Sequence, residues 1–470
     1  MGTGQSRWQS RFSTIEFLTD RPPVTRRRLV GATAAAAGAV AAACLPTAGG
    51  PEPQAAARRN VTLHVIYPPT SDADLQIFTK IFKQFEEQHQ GISINYDNAA
   101  IGHGDKLSEK LVTLVSGGTP PDVSIIHPSW ATSLLSKGFF LELTDRMKKD
   151  KALKADDLLP YALEFYQWQG KQYGLPYYSG PGLIYFNKTL FDQYGVKTPD
   201  KYEREGKWTW ETFLEVARQL TKRDVNPPIY GYERVDSGLQ WYVSVPVWSY
   251  GGEITSKDDR ETRLHEPAAI DALQVQLDLV RSHRVVPVGD EVRAVPDPGG
   301  RRLNSGRVGM QFGGKFYIPD FKGNANFEIG VAPVPRGPKG RATRDGNNGF
   351  GVIKDSKNKD ESYTLAGYFT QWEGGGRLLM ESGRPQPVRK SVYDDGSFRK
   401  MLQPWEVPYH DFYVETAKIV RVWRIPPAGP QVQTLFNEAW STAVNGERSV
   451  KAAMEDLRPR LNELLRQAAT

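Results

Sequence analysis

The residues of this chain that could do chemistry are mostly flat and aromatic rather than nucleophilic. Its 470 residues include eleven tryptophans and twenty tyrosines, more than a core of this size needs. Such rings offer apolar faces to the C–H side of a sugar ring, with aromatic contacts worth about 0.5–1.5 kcal/mol beyond the area they bury. Asp, Asn, Lys and Arg would supply directional hydrogen bonds to hydroxyls. The seven histidines, by contrast, are scattered without the His-Glu-x-x-His spacing of a zinc protease. There is no Gly-x-Ser-x-Gly elbow, and spacing marks no two acidic residues as paired glycosidase carboxylates. Gly309 to Lys315 matches seven positions of a phosphate-binding P-loop, but Phe316 stands where a Ser or Thr must hold magnesium. Nucleotide binding is therefore not expected, and neither a cofactor nor a metal is implied.

A different chemistry is expected at Cys44, the only cysteine. Before it run Leu29 to Ala43, fifteen residues with nine alanines and no charge, preceded by Arg26-Arg27-Arg28-Leu29-Val30. A basic head, a short apolar stretch and small residues at the break are the layout of an export signal, and the paired arginines resemble the twin-arginine type. A permanent span needs roughly 20 apolar residues, which this stretch does not reach. Ala41-Ala42-Ala43-Cys44 resembles a bacterial lipobox, which implies lipidation of the Cys44 sulfur. A lone cysteine as a small buried hydrophobe, and ordinary cleavage after Ala43 or Ala48, are the alternatives. The leader also explains the charge. Of the formal +6, six arginines against Glu16 and Asp20 fall within residues 1–43. What remains is close to neutral, so a nucleic-acid partner is not expected.

The elements that must position any site begin after a Pro-, Ala- and Gly-rich tether, residues 44–59. Val61, Leu63, Val65 and Tyr67 alternate as a strand. Ser71 and Asp74 resemble a capping box ahead of Leu75, Phe78, Phe82 and Phe85 at helical spacing. Ile92, Ile94 and Tyr96 read as a second strand, Leu107, Leu111 and Leu114 as a second helix stopped by Gly117-Gly118, and Val123 to Ile126 as a short buried strand. This alternation implies an α/β fold with a parallel sheet covered on both faces. Ligands of such sheets sit beyond the C-terminal strand ends. Trp130, in the loop after the third strand, is thus the first candidate, against the alternative of a core tryptophan. Asn98, after the second strand, is another, against a simple turn residue.

Further landmarks carry a family resemblance. Gly117-Gly118-Thr119-Pro120-Pro121-Asp122 is followed by Gly138-Phe139-Phe140-Leu141-Glu142-Leu143-Thr144-Asp145. Then come Tyr173-Gly174-Leu175-Pro176-Tyr177, Tyr185-Phe186-Asn187-Lys188, Trp208-Thr209-Trp210-Glu211, Gly251-Gly252 and Ala332-Pro333-Val334-Pro335. In order and spacing they resemble the extracellular solute-binding proteins of ABC importers, the group containing maltose- and multiple-sugar-binding proteins. The resemblance covers nearly all of the chain after the leader.

It implies a two-lobed periplasmic-binding-protein fold of the class II type with the ligand cleft between lobes. Lobe 1 is expected over about 60–178 and 315–383, and lobe 2 over about 179–314 and 384–470. Crossings are expected near Tyr177–Gly182, Phe312–Lys315 and Gly383–Pro387, where glycine and proline suit a hinge. The candidates this adds are Tyr177 and Tyr178 at the first crossing, Trp241 and Trp248 before Gly251-Gly252, Lys315 and Phe316, Phe350, and Arg389 near the third crossing. Relatives often carry a tryptophan around Lys315-Phe316, so Lys315 is expected to meet an acidic group or a hydroxyl there instead. Packing beneath the second lobe is the alternative for the two tryptophans, and a surface salt bridge for Arg389. The implied function is capture of a mono- or oligosaccharide by lobe closure and delivery to a permease with its ATPase. The receptor is expected to be a monomer, lipid-anchored outside the cell membrane. Rival readings are a glycerophosphodiester, polyamine or other polar solute, or a secreted carbohydrate-active hydrolase.

Overall fold

The structure, a computed structural model, describes residues 60–99, 102–233, 238–295, 302–324, 326–383 and 385–468. The leader, the tether and Cys44 lie outside the described residues. Among the described residues no helix is long and apolar enough to cross a membrane.

The first lobe grows from β1 (Val61–Ile66), α1 (Asp72–Gln88), β2 (Ile92–Asp97), α2 (Asp105–Ser116) and β3 (Val123–Ile126). In β1 the odd residues Val61, Leu63 and Val65 are buried while Thr62 and His64 face out, as a period of two demands. Ser71 caps α1 by accepting from the Asp74 backbone N–H. The Asp74 carboxylate turns back to accept from Thr70 and from the Tyr67 hydroxyl, which orders the loop after β1. Phe78, Ile81, Phe82 and Phe85 bury the inner face of α1, and Gly118 ends the α2 turn at φ +75°. β1 pairs in parallel with β2 and β3.

The chain then adds β4 (Gly174–Tyr178), passes into the second lobe through β5 (Leu183–Asn187), α3 (Trp210–Leu220), β6 (Tyr230–Tyr232), β7 (Val308–Gly313) and β8 (Ile329–Ala332), and returns as β9 (Asn348–Val352). The first sheet has the order β2-β1-β3-β9-β4 and the second β8-β5-β7-β6. β9 runs antiparallel to both β3 and β4, so the first sheet is mixed rather than all-parallel. Thr209 and Thr212 form a reciprocal capping box at α3, and the flanking Trp208 and Trp210 are core residues whose indoles donate to the Pro333 carbonyl and the Ser249 hydroxyl.

Sheet membership moves one expected boundary. β7 and β8 both pair with β5, so the chain does not leave the second lobe at Phe312–Lys315 and residues 315–332 are not part of the first. The second crossing is the segment between β8 and β9, residues 333–347. Gly313-Gly314 looked like a hinge because it has to bend: a Cβ on either residue would strike the Tyr317 or Phe316 ring.

All three crossings are laced together. Ser179 and Gln386 exchange backbone hydrogen bonds of 2.9 and 2.8 Å, Gly182 N–H donates to the Arg344 carbonyl, and Gly346 N–H donates to the Gly180 carbonyl. Asp345 Oδ1 accepts from the Gly180 N–H at 2.5 Å and from the Ser179 hydroxyl at 3.2 Å. Gly180 is needed for closeness, since a Cβ there would meet Phe316 at 2.7 Å. The C-terminal helices α4 (Pro267–Val280), α5 (Lys359–Thr370), α6 (Gly429–Val444) and α7 (Val450–Ala468) close the molecule. Helices α4, α6 and α7 share one hydrophobic core with Trp248 and Trp440.

Candidate functional site

A cavity of about 470 Å³ opens where the crossings meet the two sheets, within the usual range for small-molecule sites. The first lobe contributes Tyr67 and Thr70 from the loop after β1, Phe78 from α1, His103 before α2, and His127 and Pro128 after β3. The first crossing brings Tyr177 and Tyr178, and the second brings Arg344, Gly346, Asn347 and Asn348. From the second lobe come Trp241, Phe316, Tyr317 and Asp320.

The aromatic wall is contiguous. Trp241 and Phe316 meet edge-to-face at 5.9 Å, Phe316 continues to Tyr317 at 4.8 Å and to Tyr178 at 6.5 Å, and Tyr178 meets Tyr177 at 4.9 Å. Gly346 lets this wall close, because a Cβ on it would lie 2.5 Å from Trp241 and 2.7 Å from Phe316. Polar groups meet the edge of this wall. Asn348 Nδ2 lies 3.1 Å from His103 Nδ1, 3.2 Å from the Tyr178 hydroxyl and 3.4 Å from that of Tyr177. His103 Nε2 sits 2.7 Å from the Pro68 carbonyl, so Nε2 carries the proton and Nδ1 accepts from Asn348.

Among the described residues Arg344 is the one Lys or Arg lining the cavity. Burial pushes the Tyr67 and Tyr177 phenols well above their ordinary value, so both stay protonated as donors. Desolvation, helped by the neighbouring His103 and Arg344, lowers His127 to about 3 and leaves a neutral imidazole. The Arg344 guanidinium is 2% exposed and lies 3.8 Å above the Trp241 ring. Burial lowers it to about 9, with the nearby Asp345 opposing; it remains charged at neutral pH. Behind the wall, burial raises Asp345 to about 7 against the pull of the Gly180 N–H and Arg344.

Of the residues singled out from sequence, the cavity gathers Tyr177, Tyr178, Trp241 and Phe316. The other six lie elsewhere. Trp130 is 3% exposed in the first-lobe core, and its indole donates to the His103 carbonyl at 2.7 Å, so it props the wall from behind. Phe350 lies in the same core, its ring tilted against those of Tyr177, Phe369 and Tyr67. Asn98 is exposed in a separate hollow beside Asp97 and Pro120, because β2 is the edge strand farthest from the crossings. Trp248 is packed in the second lobe, with Arg421 over its ring.

Lys315 turns away from the cavity. Its Nζ pairs with Glu406 at 2.9 Å and donates to the Gly383 carbonyl at 2.7 Å. Arg389 is likewise consumed: it donates to the Thr370 and Leu153 carbonyls and pairs with Asp157. Tyr67 and His127 stand at strand ends, where a parallel sheet is expected to meet its ligand; sequence reasoning missed His103 and the run from Arg344 to Asn348. That run reads as a polar surface loop until its flanks are seen paired. Among the described residues no His, Cys, Asp or Glu cluster could hold a metal.

Two α/β lobes joined by three laced crossings, with an aromatic and polar cavity at the joint, define a hinged binder of a small polar solute. The chain belongs to the bacterial extracellular solute-binding protein family, whose model matches residues 69–374. A putative binding protein of Brucella abortus is 25% identical over 406 residues, covering 83% of this chain and 90% of its own. Two solved structures share the fold. The ABC substrate-binding protein Lmo0181 of Listeria monocytogenes, in complex with cycloalternan, has a TM-score of 0.72 at 22% identity, covering 86% of this chain and 98% of its own. UgpB of Mycobacterium tuberculosis, in complex with glycerophosphocholine, has a TM-score of 0.73 at 18% identity, covering 87% and 100%.

Proposed function

We propose that the protein is the carbohydrate-capturing receptor of an ABC importer, closing its lobes on a mono- or oligosaccharide and handing it to a membrane permease and its ATPase. The observation that carries this is the contiguous wall of Trp241, Phe316, Tyr317 and Tyr178 sharing one cavity with the amides and hydroxyls of Asn348, Tyr67 and Tyr177. A pyranose has both an apolar C–H face and a rim of hydroxyls, and the cavity offers groups for each. The cycloalternan complex of the Listeria relative supports the same reading. Closure follows only if ligand binds the closed arrangement better than the open one.

A polyamine would need several free carboxylates. Among the described residues the carboxylates bordering the cavity are Asp74 and Asp320, and Asp74 already accepts from Tyr67 and Thr70. A glycosidase needs one carboxyl as acid and a second as base or nucleophile, whereas Asp74 is already held by Tyr67 and Thr70. On this reading the receptor returns its ligand unchanged. Export through the twin-arginine leader and a lipid on Cys44 would hold it as a monomer outside the cell membrane, two acyl chains sufficing for stable anchoring.

A thermal-shift screen against sugars, phosphodiesters and polyamines tests the site, since ligand raises apparent stability by mass action. Product analysis of each hit separates a receptor from an enzyme: released sugar fragments would defeat the receptor reading. Cys44→Ala protein is expected in the soluble fraction, and its continued membrane attachment would refute the anchor.

A further inference from the structure

Among the described residues, Arg344 is the one cation bordering the cavity that no carboxylate partners. Its Nη2 donates to the Asp345 carbonyl oxygen, but Nε and Nη1 have no acceptor, and no acidic side chain among the described residues comes within 4.0 Å of it. Lys315 and Arg389, comparably buried, each have an acidic partner. The Asp345 carboxylate next door faces Gly180 and Ser179 instead. Asp74 is engaged by Tyr67 and Thr70. Asn348 Oδ1, in the same run, is a second buried polar atom without a partner.

A buried guanidinium with two donors unmatched by any acceptor is unfavourable. An anionic oxygen matches them better than a neutral hydroxyl, through a charge-assisted hydrogen bond. The Trp241 ring, 3.8 Å from Arg344 Cζ, helps hold the guanidinium in place before ligand arrives. We propose that the solute is an acidic polyol, a sugar or glycerol derivative carrying a carboxylate or phosphodiester, whose negative group is held by Arg344 at the second crossing. This rests on the solute-receptor reading and narrows it. The negative charge has two sources that share this chemistry, a uronic acid and a phosphodiester.

The test is calorimetric titration of the full chain with matched pairs: cellobiose against its uronic-acid counterpart cellobiouronate, and glycerol against the anionic diester glycerophosphoglycerol. The expected result is that one acidic member binds at least a hundredfold tighter than its neutral twin. That preference should shrink as salt is raised, fall at least a hundredfold in Arg344→Gln, and survive in part in Arg344→Lys. The wild-type pair comparison stands even if a variant folds poorly. Neutral sugars binding as tightly as acidic ones would overturn this inference and leave the receptor reading intact. Binding of glycerophosphoglycerol alone would support the inference, assign the phosphodiester as the source and overturn the carbohydrate reading. No binding by any member would overturn both.

Discussion

Asp345 offers a quantitative test of how the hinge is built. Its carboxyl would ionise near 3.8 in the unfolded chain but is raised to about 7 in the folded one, chiefly by burial. The folded state therefore holds the proton more tightly, and stability linked to this group is present below pH 4 and lost as pH rises towards 7. At 1.36 kcal/mol per unit, roughly three units correspond to about 4 kcal/mol. An asparagine at this position keeps an oxygen for the Gly180 N–H and the Ser179 hydroxyl but cannot ionise. Asp345→Asn should thus match the wild type near pH 4 and become the more stable protein by about 4 kcal/mol at pH 8. Urea unfolding of both proteins at half-unit steps from pH 4 to 8.5 gives the difference curve, in which groups common to both cancel. A flat curve, or one that falls with pH, would refute the reasoning, for it would mean that Asp345 is ionised and satisfied at the hinge.

Three other perturbations separate site from scaffold. Trp241→Ala removes the ring beneath Arg344 and beside Phe316, and should weaken the best ligand at least tenfold by calorimetry while leaving helical content unchanged. Trp130→Ala, removing a ring only 3% exposed, should instead lower stability by about 3–5 kcal/mol in denaturant melts. Lys315→Met strands the fully buried Glu406 and should cost about 3–5 kcal/mol, whereas Lys315→Met with Glu406→Leu should recover most of it.

The first-lobe order was legible because each element there obeys one period: β1 alternates, α1 presents its phenylalanines on one face, and Gly118 stops α2. The second crossing was not legible. Gly313-Gly314 and Arg344–Asn348 both look like flexible connections, and only the pairing of β8 with β5 shows which of them changes lobe. The site was legible in part, because an aromatic side chain at the right place along the chain can still turn either way. Phe316 faces the cavity while Lys315, one residue earlier, turns back to Glu406. Trp130 follows the correct strand end, yet it begins a helix whose inner face is core. His103 and His127 carried no spacing signal, since 24 residues separate them and only the sheet order brings them together.

The lacing of the crossings has a consequence for how such a receptor can change its diet. Arg344, Gly346, Asn347 and Asn348 touch the cavity from the same strip of backbone that couples the lobes through Gly180 and Gly182. Selectivity and mechanical stiffness are therefore written in one stretch of sequence. A substitution there that welcomes a new solute also resets how readily the lobes close when empty. The loop Tyr67–Thr70, on a lobe face, lies off that strip. Divergence towards new ligands should begin there and reach the strip last.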